Sequence, residues 1–485
     1  MKNRAISLTL SVLLLASLFA SCGESAASVD TIADKTADTT AAETETGRAS
    51  ISDDLGEYDF GGYEFRIVTS NSRSVDYVAE EDTGEVVNDA VFARNSLIEE
   101  RFNCKIKVIS DGHHRETGII TNSVAAGDDS IDLVAWHVMV LGGLVTGDLF
   151  LNWYDVPNVN FDKPWWSDSN EENLTYDGYC PVAIGDFALS ALSFTYCVYY
   201  NKTKGLDYNI PDVYETVNDG KWTFDYLINT AKDIYQDLNG NNEEDQEDFY
   251  GFTSDTQSNV CTYLWAFDNP IYTKNKDVLE FSLDIEKTAD IAAKLLNSFS
   301  ANSGFQLCKP SEFNQAATLF SKGLTLFSNG MIGESLSKMR DLNDDYAILP
   351  YPKWDESQKD YYTMVDGGHQ VMAIPVTVSD PEKVGTIIEA LCAESYKTVL
   401  PAYYDVALKL KGTRDDESIE MLDKIVDSRV FDFGFIYDNW LGAAFTMQEL
   451  MLQQSADFAS YWASRESAVK AHYDSVIEYF VENSK

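Results

Sequence analysis

The 485-residue chain carries 79 acidic against 36 basic side chains, a formal net charge of −43, and is 13% aromatic. That balance excludes nucleic acid and anionic headgroups as partners, because both are gripped by clustered Lys and Arg. A body this long exceeds the roughly 300 residues at which one core stops growing, and it predicts two lobes.

Lys2 and Arg4 precede an apolar run from Ala5 to Ala20 that ends in "LFASC". This pattern predicts a secretory signal peptide over residues 1–21 and lipidation of Cys22, an extracytoplasmic protein anchored to the cell membrane by lipid. The run falls short of the ~20 apolar residues of a transmembrane helix. Residues 22–57, made largely of Ser, Ala, Thr, Asp and Glu, read as a disordered tether, with a globular body from Tyr58. Six further cysteines are scattered without a CxxC pair, so zinc and thioredoxin-like chemistry have no support. A Cys180–Cys197 disulfide and isolated buried thiols both remain open.

"YEFRIV" (63–68) alternates as a strand should. "DAVFARNSLIEERF" (89–102) places Val91, Ile98 and Phe102 on one helical face behind an Asp89 cap. "CKIKVI" (104–109) alternates again, and "SIDLVAW" (130–136) reads as a buried strand ending at Trp136 and His137. Strand and helix in alternation imply a parallel sheet covered by helices, with ligands beyond the carboxyl ends of its strands. "FTYCVYYNK" (194–202) predicts a strand, and "KWTFDYLINTAKDIYQDL" (221–238) a helix running into an acidic loop. Helices follow near 285–299 and 311–322, strands at 324–330, 346–352 and 368–375, and a helical pattern from 415 to 482.

The acidic loop "DLNGNNEEDQED" (237–248) spaces oxygen-bearing side chains at positions 1, 3, 5, 9 and 12, as a calcium loop does. Asp237, Asn239, Asn241, Asp245 and Asp248 occupy those positions, with the Glu243 backbone carbonyl at position 7. Asn242 replaces the usual Gly at position 6 and Asp248 the usual Glu at position 12. The competing reading is a solvated acidic turn, and either way the loop supports structure. His113 and His114 read as surface residues, and Tyr403 and Tyr404 as core.

In succession, the lipobox, "DFGGYEFRIV", "EDTGEVVNDAVFARN", "GDDSIDLVAW", "KPWW", "GKWTFDYL", "DLNGNNEEDQEDFYGF" and "PAYYDVALKLKGTRDDES" resemble an extracellular solute-binding lipoprotein of an ABC importer. The resemblance is to the carbohydrate-binding branch that includes maltose-binding proteins, and it covers the chain from Tyr58. It implies an α/β fold of two lobes with a hinge and an interlobe ligand cleft. The lobes would be 58–185 with about 368–412, and 186–367 with about 413–485. It also implies a monomer that delivers a carbohydrate to permease subunits. The acidic loop resembles the calcium loop of some oligosaccharide-binding members.

Carried over by position, "DLVAW" nominates Trp136 and His137, and "AIGDFALS", similar to the first crossing between lobes, nominates Asp186 and Phe187. "TYLWAFDN" points to Tyr263 and Trp265, while "FSNGM" and "DGGHQ" point to Asn329, Asp366 and His369. A Trp shortly after "NG" is missing, with Met331 and Glu334 there instead, so a sugar other than maltose is implied. Sugars offer an apolar ring face and a rim of hydroxyls, which call for aromatic platforms beside carboxylates and amides. Trp165 and Trp166 are either such a platform or a core plug. A surface hydrolase is the enzymatic alternative, but no G-x-S-x-G, HExxH, P-loop or dinucleotide motif supports it, and the acid count discriminates nothing. An adhesin would be built of repeated β-sandwiches rather than helix–strand alternation.

Overall fold

Alternating and continuous apolar runs become the strands of two separate sheets in a computed structural model that describes residues 47–110, 112–275, 278–309 and 314–484. The signal peptide, Cys22 and most of the tether lie outside the described residues. In the first sheet, β1 (Tyr63–Thr69) pairs in parallel with β2 (Cys104–Ser110) and β3 (Leu133–His137). Phe65 and Ile67 of β1 are fully buried, and every residue of β3 is buried, as suits a strand covered on both faces.

The second sheet holds β4 (Tyr196–Asn201), β5 (Tyr235–Gln236), β6 (Phe249–Asp255), β7 (Phe305–Cys308), β8 (Thr325–Met331) and β9 (Tyr346–Leu349). Its main order is β9-β4-β8-β6-β5, with β7 beside β6. β6 and β8 run parallel, while β4 runs antiparallel to both of its neighbours. The chain then returns to the first sheet, where β10 (Gln370–Ala373) lies antiparallel to β3 at the edge. Both sheets are therefore mixed rather than wholly parallel. The chain passes from first sheet to second through residues 183–195 and back through 363–370; Thr195 bridges to Val365 between these segments, and Ala183 bridges to Met372 of β10.

Three local expectations change. The first helix starts earlier, at Val86, and Asp89 does not cap it. Its carboxylate instead accepts the N–H groups of Thr83 and Gly84, folding the preceding loop against the helix. The helix expected over 221–238 covers only Phe224–Ala231. The chain must turn there so that β5 can pair with β6 and bring the two ends of the acidic loop together; Tyr235 and Tyr250 lie 5.5 Å apart across that pairing.

Residues 48–57 are not free tether. Ile51 and Leu55 pack against the core, Arg48 pairs with Asp405 at 3.4 Å, and Arg101 pairs with Asp53. Two apolar side chains among the polar ones are enough to dock this stretch on the body. The six described cysteines are buried, and Cys180 and Cys197 are separate thiols rather than a disulfide. Among the described residues no helix is long and apolar enough to cross a membrane.

Candidate functional site

The carboxyl ends of parallel strands from both sheets open on one cavity of about 840 Å³. Beyond β1 come Ser70, Arg73 and Asp76, beyond β2 come His113 to Arg115, and β3 ends at His137 itself. From the second sheet, Gln257 follows β6, and Met331 and Glu334 stand at the end of β8. This is where an open α/β sheet leaves its loop N–H groups and side chains free to meet a ligand.

Two acids in the wall are held by local donors. Asp366 accepts from the Tyr196 hydroxyl at 2.5 Å and the Gly368 N–H at 2.8 Å. Glu334 accepts the Met331 N–H at 2.9 Å, and burial pushes its carboxyl up to about 7. Three imidazoles form a column, with His113 and His114 centroids 3.8 Å apart and His114 stacked on His137 at 4.9 Å. Burial and the neighbouring rings hold His114 and His137 below the usual histidine range. At neutral pH the His114 and His137 rings are uncharged, and each offers one donor and one acceptor, which suits hydroxyl groups.

Trp440 brings a partly exposed indole to the wall, with the Arg115 guanidinium 4.8 Å over its ring. The residue is 42% exposed and sits at φ +61, directly after Asn439 at φ +46. Two consecutive non-glycine residues in the left-handed region are strained and persist only where the surroundings over-determine them. Here the buried Asp438 carboxylate does so, accepting the N–H groups of Gly442, Ala443 and Ala444 at 3.0–3.2 Å and the Tyr473 hydroxyl at 3.1 Å. Phe445 stacks behind the indole at 4.8 Å. The turn also relies on Gly142, where a Cβ would collide with the Ile436 carbonyl oxygen.

Of the residues nominated from sequence, His137 and Asp366 line the cavity. The others stand behind or away from its wall, most of them with partners inside the protein. Trp136 is buried and donates its indole N–H to the His114 carbonyl at 2.5 Å, fixing the histidine loop from below. Asp186 is partly buried outside the wall, its carboxyl pushed up to about 7 by burial against the opposing pull of Arg429 and Arg48. Phe187 lies under the Arg94 guanidinium at 4.6 Å. Tyr263 donates to Asn329 at 3.2 Å, both fully buried beneath the second sheet's strand ends. Trp265 donates to Asp432 at 2.7 Å, and Trp165 and Trp166 both donate to Glu389, at 2.9 and 2.8 Å. His369 is buried with Nδ1 2.7 Å from the Asp366 carbonyl oxygen, and burial pushes it down to about 4.

Two expectations reverse. His113 and His114 line the cavity rather than the outer surface, because the loop that carries them leaves the carboxyl end of β2. Tyr403 lines it as well, while Tyr404 is buried as expected. Arg73, Arg115 and Trp440 were not singled out from sequence. The first two sit just past predicted strands, which is a usable signal; nothing local marks Trp440.

In the acidic loop, Asp237 accepts the N–H groups of Gly240 and Asn242 at 2.7 and 2.9 Å. The amides of Asn239 and Asn241 both reach Oδ2 of Asp245, at 3.1 and 2.7 Å. Positions 3 and 5 are thus drawn onto position 9, while position 1 closes the turn through backbone N–H groups. Asp248 differs: it is fully buried and accepts from the Tyr235 hydroxyl and the N–H groups of Leu238 and Asp245, so it braces the loop. Glu243 donates its N–H to Asn241 at 2.7 Å. Among the described residues no three His, Cys, Asp or Glu side chains form a metal-holding group, so the amides would have to contribute.

No protein-family profile and no curated protein matches the chain. Solved structures do. UgpB from Mycobacterium tuberculosis, in complex with glycerophosphocholine, matches with a TM-score of 0.57 at 14% identity, covering 86% of this chain and 99% of that one. The chain has the two-lobe fold of solute-binding proteins. Maltose-bound MalE3 of T. maritima matches this two-lobe chain at 0.53 and 12% identity, covering 87% and 99% of the two chains. A cyclo/maltodextrin-binding protein complexed with maltotetraose matches at 0.54 and 15%, covering 88% and 98%. Each of these three structures holds a solute, glycerophosphocholine, maltose or maltotetraose.

Proposed function

We propose that this protein is the extracytoplasmic substrate-binding component of an ABC importer and captures a carbohydrate, an oligosaccharide by the size of the cavity, between its lobes. The observation that carries this reading is the cavity itself. The Trp440 indole lines the same cavity as Asp366, Glu334 and the His114 and His137 imidazoles, at strand ends contributed by both sheets. An aromatic plate with fixed polar partners on facing walls is what a sugar's apolar face and hydroxyl rim require. Lobes of 58–185 with about 368–412, and 186–367 with about 413–485, close around the segments that cross between the sheets, and the closed form docks on permease subunits. Lipid at Cys22 keeps the monomer near that permease. Thermal melts against mono- and oligosaccharides test this, with the sugars assayed afterwards for breakdown. A raised melting temperature with one intact sugar is expected; no shift with any sugar removes carbohydrate as the solute, and breakdown products favour a hydrolase.

The acidic loop is proposed to bind calcium as a structural brace, through Asp237, Asn239, Asn241, Asp245 and the Glu243 carbonyl. Chelation is then expected to lower the melting temperature of the wild type but not of Asp237→Ala. Equal sensitivity of the two proteins would take calcium away from this loop.

A further inference from the structure

We infer that the solute carries an anionic group on a sugar ring, a carboxylate or a phosphate, and that Arg115 beside Trp440 receives it; this rests on the carbohydrate reading above. Three cationic side chains line the main cavity, and two are already engaged. Arg73 pairs with Asp76 at 3.7 Å and lies over the Phe194 ring at 4.0 Å. Lys338 pairs with Glu334 at 3.7 Å and donates to the Asn314 carbonyl at 2.7 Å and the Thr318 hydroxyl at 3.0 Å. Arg115 forms no ion pair among the described residues. Of the three cations that line the cavity, Arg115 is the one whose guanidinium is exposed and has no carboxylate partner among the described residues.

A side pocket of about 260 Å³ lies where this cation stands, sharing Arg115, Met139 and Trp440 with the main cavity. Its remaining wall is formed by Thr117, Asn439 and apolar residues, with no Asp or Glu among the described residues that line it. The guanidinium is held 4.8 Å over the Trp440 ring. Stacking on an aromatic face constrains the plane of the guanidinium and leaves its N–H edge free to make a forked pair with a carboxylate or phosphate. The same indole is shared by both spaces, so a ring stacked near it brings a ring substituent within reach of the arginine.

The full chain is titrated with di- to tetrasaccharides in matched neutral and uronic forms, and with hexose phosphates, following tryptophan fluorescence and melting temperature. The wild type is expected to prefer an acidic sugar over its neutral counterpart, and R115Q to reduce that preference at least tenfold, in line with the strength of a charged hydrogen-bonded pair. R115K, which keeps the charge but loses the fork, is expected to fall between them. The class of anion whose binding depends on Arg115 identifies the group as carboxylate or phosphate. If neutral sugars bind and acidic ones gain nothing, or if R115Q leaves the preference intact, the inference is overturned while the carbohydrate reading stands. If no saccharide of either kind binds, both fall. Arg115 is exposed, so the melting curves of both variants without ligand are expected to match the wild type and to exclude misfolding as the cause.

Discussion

Replacing Asp432 by alanine is expected to cost about 3–5 kcal/mol of stability, because it leaves several buried donors without an acceptor. The carboxylate is 4% exposed and accepts the Trp265 indole N–H at 2.7 Å, the Ile271 and Gly434 N–H groups at 2.6 Å, and the Tyr272 N–H at 3.2 Å. These donors belong to the helix Ser258–Ala266, the start of the strand Tyr272–Asn275 and the helix Phe433–Ile436. One side chain therefore ties the C-terminal segment that presents Trp440 to Trp265, Ile271 and Tyr272. Asp432→Asn keeps an acceptor oxygen and is expected to lose less. Guanidinium unfolding midpoints decide the matter: an alanine variant within about 1 kcal/mol of wild type would mean that water reaches these groups and the knot is unimportant.

The second large effect falls on binding. Trp440→Gly is expected to weaken the sugar found by the melts about 30-fold or more, the loss typical of about 2 kcal/mol when an aromatic anchor is removed. Stability should hold close to wild type, because glycine accepts φ +61 without strain and the indole is 42% exposed. That separation distinguishes a ligand platform from a packing residue. Trp265→Phe should behave in the opposite way, melting lower with affinity kept, since its indole N–H is committed to Asp432. An unchanged affinity in Trp440→Gly would remove this residue from the site.

The two indoles also show how far sequence reading reaches. The strands of the first sheet were legible because Phe65, Ile67 and Val108 alternate with charged residues, and the all-apolar run before His137 could only be a covered strand. From those strands the side of the sheet that faces a ligand followed, and with it His137. Which aromatic residue is partly exposed and which is sealed did not follow. Trp136, Trp165, Trp166 and Trp265 are closed off because an acceptor from a distant segment met each indole N–H: His114, Glu389 or Asp432. Trp440 stays partly exposed because the Asp438 carboxylate holds its turn in an unusual conformation. Both outcomes depend on long-range encounters that no window of sequence contains. The shortened helix at Phe224–Ala231 has the same origin, since its pattern was helical and the pairing of Tyr235 with Tyr250 overrode it.

The return of the chain to the first sheet bears on the order in which this protein can be built. β1, β2 and β3 are complete once His137 has been synthesised, yet the edge partner of β3 is supplied only by Gln370–Ala373. Until then the β3 edge lies bare, with an apolar strand that can pair with any other extended chain nearby. Contacts so distant in sequence slow folding, and exposed strand edges in the interval favour aggregation. A truncation before Ala373 would therefore leave the first sheet without its edge strand even where it spares every strand of the second, and yields of shortened chains should drop sharply across that strand.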